Sequence, residues 1–155
     1  MPTAISSQAS ERDLKKFKEA PQQRGFSFEA ARTLDEEART VEVSFSSDKA
    51  DLLRWFGYEQ LGHDDGEIDL TRLENGGAVL SGHDMRQHIG VVESVQVVSG
   101  KGRAVVRFSK NERAQEVFQD VIDGIIRHTS VGYHVNEMVL VEERDDGEPL
   151  YRVTS

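Results

Sequence analysis

Residues 89–125, IGVVESVQVVSGKGRAVVRFSKNERAQEVFQDVIDGI, decide the fold. Apolar residues alternate with polar ones from Ile89 through Val91, Val95 and Val97, the period of a half-buried strand. Ser99-Gly100-Lys101-Gly102 supplies turn chemistry, and Arg103 to Phe108 returns as the partner strand of a hairpin. The period then changes. Ser109 and Glu112 have capping-box spacing, and Ala114, Val117, Phe118, Val121, Ile122 and Ile125 recur at the intervals of an amphipathic helix. The stretch therefore predicts a hairpin followed by a long helix between Ser109 and His128.

Working outward, Val41, Val43 and Phe45 alternate with Glu42 and Ser44 and read as another strand. Asn75-Gly76-Gly77 is a turn, and Ile68-Asp69-Leu70 is too short to assign. On the other side, Thr129 to Val135 reads as a strand, Met138 to Val141 extends it or begins another, and Asp145-Asp146-Gly147-Glu148 turns the chain into Leu150 to Val153. Many short strands and one principal helix predict a mainly β (α+β) domain, barrel-like, with the helix packed on it. Residues 1–25 are polar, with only a weak helical pattern around Leu14 and Phe17, and are expected to be a mobile leader to the domain of residues 26–155.

The chain has 155 residues, enough for one domain with its own core, and its 37% apolar and 30% charged content fits a globular protein. No run approaches the roughly 20 apolar residues of a membrane-spanning helix, and the segment Met1 to Ser7 lacks the basic and apolar blocks of a secretory signal, so an intracellular, non-membrane setting is expected. Cysteine is absent, which excludes disulfides, thiol nucleophiles and thiolate metal sites. The formal charge is -9, with 28 acidic residues against 19 scattered basic ones, so binding to nucleic acid is not expected.

Serine catalysis needs a hydroxyl that a neutral imidazole can deprotonate and donors for the resulting oxyanion. Composition alone does not choose among the 5 histidines. Ser130 follows the predicted helix end between Thr129 and Gly132, a sterically open strand start that would present its hydroxyl. Alternation puts Ser130, Gly132 and His134 on one face, yet His134 is about 13 Å along the strand from Ser130, too far to act as its base. His128 reads as a helix-terminal histidine meeting the dipole, and His88 as exposed. A metal site from His63-Asp64 and His83-Asp84 has no fixed spacing on one element, so neither metal nor cofactor is expected.

Two of these stretches resemble a known family. Ser81-Gly82-His83-Asp84 followed by Ile89-Gly90-Val91 is similar to the histidine region of the prohead maturation proteases of tailed bacteriophages, serine endopeptidases of the herpesvirus assemblin type. Thr129-Ser130-Val131-Gly132-Tyr133, after Asp123-Gly124, resembles their nucleophile region, and Arg107-Phe108-Ser109 and Glu59-Gln60-Leu61 through Leu73 also match. The similarity runs from about Val41 to Val153. It implies an assemblin-like barrel with Ser130 as nucleophile and His83 as general base. It further implies capsid and scaffold proteins as substrates, a setting in the host cytoplasm inside the assembling prohead, and an allowance for homo-oligomers. One departure stands against it. The family carries a later Trp-Pro-Glu-Ser strand followed by Pro-Ala, which does not occur here, so the domain is expected to lack its C-terminal strand or strands, and no third catalytic residue is assigned. Glu142 and Glu143 are the nearest acidic substitutes, beside a solvated turn. The alternative is a catalytically silent capsid-assembly module or an inactive protease fragment.

Overall fold

The computed structural model describes residues 10–155. Along the chain lie helix α1 (Glu11–Glu19), strand β1 (Gln22–Ser27), a 3-10 turn (Ala30–Arg32), β2 (Thr40–Ser47), β3 (Leu52–Arg54), β4 (Gly57–Leu61) and the short α2 (Thr71–Glu74). Then follow β5 (Ala78–Leu80), β6 (His88–Val98), β7 (Lys101–Phe108), α3 (Glu112–Ile122), β8 (His128–Tyr133), β9 (Met138–Glu143) and β10 (Pro149–Val153).

The hairpin of residues 89–108 is β6–β7, and its turn is tighter than the glycine pattern suggests. Ser99 and Gly100 alone form the loop, both left-handed (φ 53° and 71°), while Val98 pairs with Lys101. Positive φ at both central residues is what a two-residue hairpin turn needs to match the twist of its strands. β2 joins the outer side of β7 and β5 the outer side of β6, all antiparallel, giving the order β2-β7-β6-β5. The buried faces of Val41, Val43, Val106 and Phe108 receive Val117, Phe118 and Val121 of α3 in one core. Helix periodicity and strand alternation thus point at the same interior.

Two details of α3 correct the expectation. Its N-cap is Asn111, whose Oδ1 accepts a hydrogen bond from the Ala114 N–H at 2.8 Å. Ser109 does not cap the helix because its own N–H still belongs to the sheet, donating to the Ile89 carbonyl at 2.8 Å. The helix also stops at Ile122, well before His128, and Ile125 stands exposed beyond it.

A second sheet has the order β3-β4-β10-β9. Here β10 lies parallel to β4 on one side and antiparallel to β9 on the other. Its core gathers Phe56, Leu61, Val135, Tyr151 and Val153 against Phe17 of α1, with the Phe17 and Phe56 rings edge to face at 4.8 Å. β1 and β8 form a two-stranded antiparallel ribbon that ties the halves together, since Val131 packs on the first core while Phe26 and Tyr133 pack on the second.

The protein is mainly β with few helices, and its curled sheet makes a half-barrel. The strands fall into one two-stranded and two four-stranded sheets, so the expected barrel is not a single closed one. The expected mobile leader also differs from what is seen where it can be compared. Residues 1–9 lie outside the described residues, but Glu11–Glu19 is helical and Gln22–Ser27 is paired to β8. Polar composition concealed this because only a few side chains, Phe17 and Arg24 among them, turn inward.

Candidate assembly interface

Ser130 occupies the middle of β8, opposite Gly25 of β1, on the exposed face of the ribbon. The neighbouring Thr129 turns inward and its Oγ1 donates to the Ser44 carbonyl at 2.5 Å, which fixes β8 beside β2. His83 lies in the loop between β5 and β6, with left-handed backbone (φ 56°). Ser81, just before it, meets Arg113 in the first turn of α3 at 3.1 Å, whereas Ser130 follows that helix in the chain. In the sheet order, β8 flanks β2 at one edge and the His83 loop leaves β5 at the other. Among the described residues neither the Ser130 nor the His83 side chain makes a hydrogen bond, to the other or to any third group.

The remaining motif residues have structural partners. Asp84 accepts from the Arg86 backbone N–H and pairs with its guanidinium, hydrogen bonds that hold its carboxyl below the usual aspartate range, so it does not orient His83. Gly90 is inside β6, where a Cβ would stand 2.5 Å from the Arg107 carbonyl oxygen. Gly124 is left-handed (φ 71°) and ends α3. Gly132, by contrast, has only the Gln22 carbonyl near its Cβ direction, at 3.9 Å, and nothing in its surroundings demands glycine. His128 begins β8 and is not helix-terminal, His88 and His134 are exposed, and His63 directs Nδ1 to the Leu61 carbonyl at 2.9 Å.

The densest polar cluster is internal. Glu59 of β4 is completely buried, and its Oε1 receives the Tyr133 hydroxyl at 2.6 Å, Arg54 at 3.2 Å and Arg24 at 3.4 Å. Arg24 also donates to the carbonyls of Glu59 and Lys49. Burial, then the hydrogen bond to Glu59 and its charge, push the Tyr133 hydroxyl well above the usual tyrosine range. Because Arg24 comes from β1, Tyr133 from β8, and Arg54 and Glu59 from β3–β4, the cluster fastens the ribbon to the second sheet.

The most conspicuous outer surface is the free side of β9. This strand has β10 on one side and no strand on the other among the described residues. Val139, Leu140 and Val141 are 49%, 49% and 51% exposed, so apolar side chains look outward from both faces. An apolar edge strand with unpaired backbone groups is a template for pairing with another chain. A β-bulge places Val141 out of register, since β10 passes from Glu142 to Leu140 at Leu150/Tyr151, and the added twist shortens the regular edge. The following tip carries Glu142, Glu143, Asp145, Asp146 and Glu148, with Arg144 turned back onto the Tyr58 ring at 4.5 Å. The uninterrupted apolar run Met138 to Val141 was the available signal. Such a run reads as a strand covered on both faces, and only the sheet order reveals that it lies at an edge.

No protein-family model and no solved structure matches the chain. A curated relative does: the major capsid protein of Halomonas phage phiHAP-1 is 44% identical over 105 residues, which cover 65% of this chain and 17% of the relative. The chain thus spans about a sixth of the length of the protein it matches. This finding corrects the maturation-protease resemblance and the endopeptidase activity drawn from it, because the similar protein is named for capsid structure and not for proteolysis.

Proposed function

We propose that this chain is a phage capsid-assembly module, a β domain that enters a head-assembly reaction through protein contacts and does no peptide-bond chemistry. The observation that carries the reading is the 44% identity to a major capsid protein. The apolar edge of β9 supports it, since assembly domains need surfaces that pair with neighbours. The setting is the interior of the infected cell during head formation, with capsid subunits as partners and self-association as an allowed mode. No described helix is long and apolar enough to cross a membrane.

Co-sedimentation tests the proposal directly. The purified chain is mixed with the cognate phage capsid protein under shell-forming conditions, and the shells are pelleted. The chain should appear in the pellet at a fixed ratio to capsid protein and stay in the supernatant without it. A chain that never enters shells, and whose addition changes neither their yield nor their size, refutes the module.

A further inference from the structure

We infer that the free edge of β9 captures an extended partner segment whose N-terminal end is basic and whose following residues alternate apolar and polar, adding it as an antiparallel fifth strand beyond β9. The inference deepens the assembly reading and takes its biological setting from it.

Three observations select this occupant. The edge offers backbone groups with no partner among the described residues, together with exposed Val139, Leu140 and Val141, so a strand added there gains both main-chain hydrogen bonds and apolar burial. Direction follows from pairing energetics and charge. Antiparallel ladders are slightly the more stable per residue, and such a partner runs its N-terminal end past Glu142 and Glu143 at the C-terminal end of β9. Five carboxylates crowd that tip, from Glu142, Glu143, Asp145, Asp146 and Glu148. Tyr58 donates to Asp146 at 2.7 Å and Arg144 faces Tyr58, so neither neutralises Glu142 or Glu143. Lysine or arginine opposite them supplies the missing countercharge.

A second copy of the chain fits less well. Antiparallel self-pairing centred on Leu140 and Val141 would set Glu142 against Val139 and Glu143 against Met138, which buries carboxylates against apolar side chains. Each copy also carries a formal charge of -9, so the two repel. The bulge at Val141 keeps the regular edge short, which suits a reversible contact made many times over a shell surface.

The test uses the full chain and two end-blocked synthetic peptides, Lys-Lys-Thr-Val-Thr-Val-Thr and its reversed-charge-position partner Thr-Val-Thr-Val-Thr-Lys-Lys, with fluorescence anisotropy and amide hydrogen exchange as readouts. The first peptide should bind at least about tenfold more tightly than the second, weaken as salt rises, and protect amides of Val139 to Val141 and not those of Leu52 to Arg54 on the opposite edge. Glu142→Lys with Glu143→Lys should cancel the preference, and Val139→Glu with Leu140→Glu should remove binding, both at exposed positions and with unchanged thermal melts. Equal binding of the two peptides, protection at the β3 edge, or indifference to the charge reversal overturns the inference, as does a dimer that disappears in the Val139→Glu, Leu140→Glu variant. If the chain enters capsid shells but binds neither peptide, this inference falls and the assembly reading stands. If it binds the first peptide with edge protection but never enters shells, the assembly reading falls alone.

Discussion

Glu67 illustrates how a single side chain holds distant parts of this chain together. Its carboxylate takes Arg152 of β10 at 2.5 Å and the Asp64 backbone N–H at 3.0 Å. The Arg152 hydrogen bond, with a smaller contribution from Asp64, lowers its pKa below the ordinary 4.5. The unfolded chain therefore binds a proton more readily than the folded one in the window just below that value. The stability that Glu67 contributes is present above about pH 4.5 and is lost as pH falls through the folded pKa. Glu67→Gln should accordingly flatten the stability profile on the acid side, measured as urea midpoints between about pH 5 and 3. Ser130 is a contrasting residue, exposed and without a side-chain partner, so Ser130→Ala should change stability by less than about 0.5 kcal/mol and a fluorophosphonate probe should leave the wild-type chain unlabelled. The exposure of Ser130 was legible from its sterically open place at a strand start between Thr129 and Gly132. The place of His83 was not, because the two residues sit on elements whose relation depends on the order of the whole sheet.

At the level of elements, continuous periodicity marked out what folds locally. The β6–β7 hairpin and α3 were legible because each carries an apolar pattern over many residues, though β6 shifts register between Val92 and Ser94 and buries Val92 more fully than Val91. Their edges were not. The helix start turned on whether Ser109 or Asn111 caps, which depends on Ser109 being held in the sheet by Ile89. Asn111→Ala should thus cost about 1 kcal/mol in thermal or denaturant unfolding, and Ser109→Ala distinctly less. Reversal of that ranking would restore the capping-box reading. α1 showed only a weak helical pattern and β1 none, for another reason: their burial is lent by partners elsewhere in the chain, Phe56 for Phe17 and Glu59 for Arg24. β3, with only Leu52 to Arg54, is too short for any period to be seen.

For the molecule as a whole, the Glu59 cluster fastens the β1–β8 ribbon to the second sheet, and removing one member should be felt globally. A buried ion pair broken on one side leaves an uncompensated charge, at about 3–5 kcal/mol. Glu59→Gln is expected to lower global stability by an amount of that order, and Arg24→Gln to be strongly non-additive with it in a double-mutant cycle, because both act on one carboxylate. The polar composition of the first 27 residues gave no hint of this junction, since a lone Arg in a polar stretch reads as solvated. The second sheet has a further property in its strand order. One of its two inner positions belongs to β10, which pairs residues as far apart in sequence as Tyr58 and Leu150. During synthesis on a ribosome, β4 and β9 both emerge before the strand that must lie between them, so β4 waits with an open edge while the core under α3 is free to condense. Closing so long a loop is entropically slow. Refolding should therefore show two steps, early protection of β6, β7 and α3, then a later one in which β4, β9 and β10 acquire protection together. The nascent chain, with the inner strand still in the exit tunnel, would be the form most in need of a chaperone.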